Sequence, residues 1–207
     1  LDGQRQPVTQ HGSGVVAEFR CGRRGWIGSV DGHGQSRCEV ATDPRLVELG
    51  DLKGEMHCHS TWSSDGHNSI EEMASTAKSR GYSFLCLTDH SHYLRGPRLP
   101  AQWKEIEEVN ARLKPFRVLR GIEVNIRADG SLDVDDETLA ELDWVVASIH
   151  TAFDRSPTER VLGTIENPHV DCIGHLTGRK ILRRSGAEID IERVVERAAE
   201  TERVVED

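Results

Sequence analysis

From Leu46 onward, short apolar runs alternate with amphipathic helical stretches, and each run closes on a His, Asp or Glu. That alternation constrains the fold more than any other feature. The first run ends over Met56–His59, and Tyr82–Leu87, Phe116–Ile122, Trp144–Ile149 and Val170–Ile173 follow. Between them lie helical stretches with recognisable starts. Ser69 and Glu72 spell a capping box, and Ile70, Met73, Ala74 and Ala77 recur at helical spacing before Gly81. Residues 101–113 place Trp103, Ile106, Val109 and Leu113 on one face, and a short helix is expected over 136–142. Ser156-Pro157-Thr158-Glu159 reads as a second capping box, with Val161, Leu162 and Ile165 inward. Asp190 caps a last helix with Ile191, Val194, Val195, Ala198 and Ala199 on one side. Five β-α units in series predict an α/β fold of parallel strands covered by helices.

The run ends carry the chemistry. His57 and His59 close the first run, Asp65 lies in the loop after it, and Asp89 and His90 close the second. Glu123, His150 and His175 close the third, fourth and fifth. In a parallel α/β barrel, active sites are built at this C-terminal edge. The period of two in His57-Cys58-His59 sends both imidazoles to one side, about 7 Å apart, and Cys58 to the other. Cys58, Cys86 and Cys172 therefore read as small core residues. Imidazole and carboxylate donors without thiolate suit Zn, Mn or Fe in a catalytic rather than a structural site. Asp89 is the candidate to orient His90 from behind. His11, His33, His67, His92 and His169 read as incidental surface histidines.

Charge and composition narrow the class. The net charge of −9 lies entirely in residues 51–207, where 20 basic residues face 29 acidic ones. Such a balance argues against non-specific coating of nucleic acid. Five Cys at 21, 38, 58, 86 and 172 make no secreted disulfide framework, so a cytoplasmic location is expected. No stretch approaches the roughly 20 apolar residues of a membrane span, and no signal peptide opens the chain. Residues 1–45 hold a single Leu and many Gly, with strand character only at Trp26–Val30. They are expected to be a poorly ordered leader or a damaged piece of a longer protein, and protection of residues 10–40 from proteolysis would contradict this.

Taken in order, His57-x-His59, Ser64-Asp65-Gly66, Thr88-Asp89-His90, Gly121-Ile122-Glu123, Ser148-Ile149-His150 and Gly174-His175 resemble the PHP (polymerase and histidinol phosphatase) domain family. The stretches 46–54, 121–126 and 174–179 resemble most the C-terminal PHP domain of bacterial family X DNA polymerases. The resemblance implies a distorted (β/α)7 TIM-like barrel with two to three divalent ions, Mn2+ or Zn2+. By that likeness His57, His59 and Glu123 hold one ion. Glu123 bridges to a second with His150 and His175, and Asp65 and His90 hold a third. The family pattern closes with a further Asp-x-His, whereas no His follows His175 here. The resemblance is thus to a fragment, 46–207, of a barrel incomplete at its C-terminus, whose second ion site alone has all its ligands.

The activity implied is metal-dependent phosphoester hydrolysis. In polymerase-linked members it is a 3′–5′ exonuclease serving DNA repair, acting on DNA 3′ ends beside a polymerase module. Clustered divalent ions activate water and hold phosphate oxygens, so no Ser or Cys nucleophile is required. Glu123 and Asp89 are the residues assigned to catalysis. Arg179, Lys180, Arg183 and Arg184 follow His175, and Arg95 and Arg98 follow His90, as candidates to grip phosphate or DNA. A stand-alone phosphatase of the histidinol-phosphate type would share these ligands, and a metal-binding but inactive fragment is a third reading. An amidohydrolase fits less well: none of Lys53, Lys78, Lys104, Lys114 and Lys180 ends a strand, and Glu123 already bridges.

Overall fold

The computed structural model describes residues 48–206 and, before them, the strands β1 (Phe19–Cys21), β2 (Trp26–Val30) and β3 (Ser36–Val40). These three form an antiparallel sheet, with Cys21 opposite Trp26 and Val30 opposite Ser36. Only β2 was legible in the sequence, because β1 and β3 interrupt their apolar residues with Arg and Glu. The rest of the expected leader lies outside the described residues. Residues 1–49 and 50–207 are separate compact units.

The second unit is a six-stranded parallel sheet in sequential order: β4 (Gly54–Glu55), β5 (Phe84–Leu87), β6 (Arg117–Asn125), β7 (Trp144–Ser148), β8 (Cys172–Ile173) and β9 (Val204–Val205). Sequential parallel order is barrel order, and β4 and β9 are its two edges, as expected of an incomplete TIM-like barrel. Five helices intervene: α1 (Ile70–Ser79), α2 (Arg98–Leu113), α3 (Asp136–Leu139), α4 (Pro157–Ile165) and α5 (Ile191–Glu200). One apolar cluster joins α1 and α2 to β5 and β6 through Ile70, Leu87, Ile106 and Val118. A second joins α4 and α5 to β6–β8 through Ile122, Val146's neighbour Ala147, Ile165 and Val194. Each such aliphatic side chain, fully buried, stabilises by about 1.5–3 kcal/mol.

Three local expectations need correcting. The first run does not pair as a strand to His59; β4 stops at Glu55. Beyond it Cys58 is tied to the end of β5 instead: Cys58 N–H donates to Thr88 Oγ1 (2.9 Å) and Thr88 N–H to the Cys58 carbonyl (2.9 Å). The Ser69 capping box forms, but the Ser156 box does not. Ser156 sits at φ 42°, its hydroxyl caps nothing, and Glu159 instead pairs with Arg193 at 2.9 Å. Helix α5 buries Val194 and Ala198 only, leaving Ile191, Val195 and Ala199 exposed. No helix among the described residues is long and apolar enough to cross a membrane.

Candidate metal centre

The C-terminal edge of this sheet gathers all seven expected ligands into one cavity, with Glu123 at its centre. Chain geometry does the gathering. Past β5 the backbone makes one more parallel bridge, His90 opposite Glu123, with Glu123 N–H donating to the Asp89 carbonyl (3.2 Å). The 60–66 loop turns tightly enough to present Asp65 because residue 66 is glycine. A Cβ there would collide with the Ser60 carbonyl oxygen. Arg160, 5% exposed, donates to the carbonyls of Arg127 (2.8 Å), Ile126 (2.5 Å) and Ala152 (2.7 Å), tying the loops after β6 and β7 together.

Glu123 is 1% exposed, and five imidazoles surround its carboxylate. His90 Nδ1 lies 2.7 Å and His57 and His59 Nε2 both 3.6 Å from Oε2. His175 Nε2 lies 2.9 Å and His150 Nε2 3.3 Å from Oε1. His90 Nε2 also meets Asp65 at 3.1 Å. Three sets of donors converge within 4.8 Å: His57, His59 and Glu123; His59, Asp65 and His90; and His90, Glu123 and His150. The first set coincides with the first ion site that the family likeness implies. The second adds His59 to the Asp65–His90 pair. The third contains His90 where the likeness has His175.

Hydrogen bonds behind the cluster set which ring nitrogens face it. Asn125 gives its amide N–H groups to Asp133 (2.7 Å) and Ser91 (3.2 Å), so its oxygen accepts from His150 Nδ1–H at 2.7 Å. His57 Nδ1–H likewise donates to Glu206, at 2.8 and 3.0 Å. In both rings this turns Nε2 toward the centre.

The charges are mutually adjusted. Burial opposes charge on Glu123, but the imidazoles of His150, His175, His57 and His90 crowded against its carboxylate hold it far below the usual range. Burial also opposes charge on His57, yet Glu123 and Glu206 push it up to about 10. His90 is raised in the same way, chiefly by Glu123, whereas burial wins at His59 and lowers it.

The donors fit divalent ions. Buried Glu123 Oε2, His59 Nδ1, His90 Nδ1 and His175 Nδ1 have no hydrogen-bond partner, and the close His90–Glu123 approach is misaligned for one. Lone pairs of imidazole and carboxylate aimed at one another need cations between them, and this thiolate-free set suits hard or borderline metals.

Other expected site residues divide. Asp89 does not reach His90's ring. It is fully buried, and its carboxylate accepts from Ser60 N–H and Oγ–H and from Gln102 Nε2–H, each at 2.7 Å. It anchors the 60–66 loop. Arg179, Lys180 and Arg184 line the same cavity of about 810 Å3 as the ligands. Arg184's guanidinium is committed to the Gly178 carbonyl and the Phe153 ring, and Arg183 does not line the cavity. Arg95 and Arg98 are not brought to it; Arg98 donates to the carbonyls of Tyr93 (2.6 Å) and Trp62 (3.1 Å). Of the histidines read as incidental, His67 is exposed and His169 half-buried, but His92 lines the cavity. His11 and His33 lie outside the described residues. Glu206 and Arg127 were missed. Glu206 follows a two-residue strand that has no sequence signature, and the one available signal was a His, Asp or Glu at a strand end, the pattern of the other five.

Sequential parallel strands with an imidazole–carboxylate cluster at their C-terminal edge define an open α/β barrel of the TIM-like kind with a candidate metal centre. The chain belongs to the PHP domain family, whose model matches residues 55–201. It is similar to the DNA polymerase/3'-5' exonuclease PolX of Bacillus subtilis, at 46% identity over 170 residues, covering 78% of this chain and 30% of that protein. It is similar also to a probable phosphatase of Caldicellulosiruptor saccharolyticus, at 34% identity over 168 residues, covering 75% of this chain and 65% of that protein. The chain thus spans less than two thirds of either relative. Among solved structures, the histidinol phosphate phosphatase of Lactococcus lactis, in complex with zinc, L-histidinol and phosphate, matches with TM-score 0.53 and 19% identity over 75% of this chain and 73% of that one. At that identity the likeness is one of fold.

Proposed function

We propose that this chain is a metal-dependent phosphoester hydrolase of the 3′–5′ exonuclease type, acting on DNA 3′ ends in repair. The observation that carries the reading is the convergence of seven His, Asp and Glu donors on one cavity whose rim is cationic at Arg179 and Lys180. The similarity to the Bacillus polymerase/exonuclease supports the nucleic-acid substrate.

Two to three divalent ions, Mn2+ or Zn2+, would be held by His57, His59 and Glu123, by Asp65 and His90, and by His150 and His175 with Glu123. When bound they supply Lewis-acid polarisation of the phosphoryl group and acidify water. The chain's own groups do the rest. Glu206 and Asn125 hold the His57 and His150 rings with Nε2 inward. Arg179 and Lys180 offer N–H donors to non-bridging phosphate oxygens. Buried Glu123 keeps its negative charge at the centre of the ligand set.

The test is product analysis with Mn2+ or Zn2+ on a 5′-labelled single strand, beside phosphate release from histidinol phosphate. A ladder shortened from the 3′ end, abolished by EDTA, supports the exonuclease. Release from histidinol phosphate without a ladder favours the second reading, a small-molecule phosphatase, which the likeness to the Caldicellulosiruptor probable phosphatase supports. Neither product, with full metal loading, means an inactive fragment.

A further inference from the structure

Between His175 and α5 the chain leaves the metal edge as a narrow hairpin. Lys180 N–H donates to the Arg184 carbonyl (3.0 Å) and Arg184 N–H to the Lys180 carbonyl (2.9 Å), closing over Ile181, Leu182 and Arg183. Its base is braced. Ala187 N–H donates to the Thr177 carbonyl (2.8 Å), and Arg184 bonds the Gly178 carbonyl and lies 4.0 Å above the Phe153 ring. Gly178 is at φ +58° with Phe153 so close that a Cβ would sit 2.6 Å from the ring.

The tip has the opposite character. Ile181 is 75% exposed and Leu182 fully exposed, and Leu182 stands at φ +61°. A Gly or Asn would occupy that turn position without strain and without offering apolar surface to water. Folding therefore explains neither the aliphatic side chain nor its placement. Cations stand on the tip's shoulders, at Arg179, Lys180 and Arg183, and Arg179 and Lys180 reach the cavity that holds Glu123.

Apolar side chains that project between flanking cations suit a nucleic-acid strand. Aliphatic wedges part stacked bases, while Lys and Arg take the phosphates on either side. We propose that the 180–184 hairpin is such a wedge: Ile181 and Leu182 insert against the bases of a single-stranded 3′ end and unstack the nucleotide whose phosphodiester lies at the metal edge. This rests on the exonuclease reading and adds to it the element that engages the bases of the 3′ end.

The experiment uses the full chain with Mn2+ and a phosphorothioate-linked oligonucleotide of about ten nucleotides carrying 2-aminopurine next to the 3′ terminus. Binding should brighten the 2-aminopurine as it unstacks. Leu182→Gly together with Ile181→Ser should weaken binding about tenfold and abolish the brightening. Leu182→Gly alone relaxes the turn, so its melting temperature should hold or rise while brightening falls, which separates binding from folding. Unchanged affinity and brightening in the double variant would overturn the wedge. So would unchanged DNA binding with lost affinity for phosphatidylserine vesicles, which would assign the tip to a membrane surface. Mn2+-dependent hydrolysis of bis(p-nitrophenyl) phosphate by the unaltered protein tests the parent reading separately: its presence with a failed brightening assay overturns the wedge alone, and its absence overturns both.

Discussion

At the scale of single residues, the centre depends on one carboxylate shared by five imidazoles. Without metal, protons take the place of cations, and this has a pH consequence. The His57 pKa is raised from 6.5 to about 10 by Glu123 and Glu206 against burial. A group that binds its proton more tightly when folded stabilises fully below its unfolded pKa and loses that contribution as pH rises through its folded one. The metal-stripped protein should therefore lose melting temperature between about pH 7 and about pH 10, and metal should flatten the loss. A melting temperature that rises over that interval would contradict the assigned protonation. Glu206 contributes through His57, so Glu206→Gln should lower metal affinity about 10–100-fold. Isothermal titration with Mn2+ measures it, and unchanged affinity would remove Glu206 from the centre. The clustered His and Glu side chains were legible because each ends an apolar run, and Asp65 because it lies in the loop directly after one. Glu206 and Asn125 were not, since their roles depend on which nitrogen of a distant ring they meet.

At the scale of elements, helices were read more faithfully than strands. Capping and 3.6-residue periodicity marked α1, α2 and α5 to within a few residues. β9 is two residues long and β4 ends before the histidines it was expected to carry. Pairing between strands depends on partners far away in sequence, which no local pattern reports. Side chains replace missing ladder bonds here, and Asp89 is the clearest case. Its position beside His90 suggested a catalytic neighbour, but its carboxylate points the other way, into Ser60 and Gln102. Asp89→Ala leaves those buried donors without a partner and should cost about 2–4 kcal/mol by urea denaturation. A cost under about 0.5 kcal/mol would mean that the 60–66 loop holds without this anchor.

At the scale of the whole molecule, the net charge of −9 set the initial expectation against nucleic acid, yet charge at the cavity rim is locally positive. Local cations govern backbone contacts, because screening confines their field to about 10 Å or less. Arg179→Ala and Lys180→Ala should each reduce the slope of log affinity against log salt, for single-stranded DNA, by about 0.7. Equal slopes would leave both residues as solvated surface. The fold class was legible over 46–207 from the β-α alternation, and the family match over 55–201 covers most of that stretch. The most direct test of the central claim is metal content. After loading with Mn2+ or Zn2+ and desalting, elemental analysis should find about two to three equivalents in the unaltered chain and less than about one in Glu123→Gln. Near-zero metal in the unaltered chain, or an undiminished content in the variant, would contradict a metal centre built on Glu123.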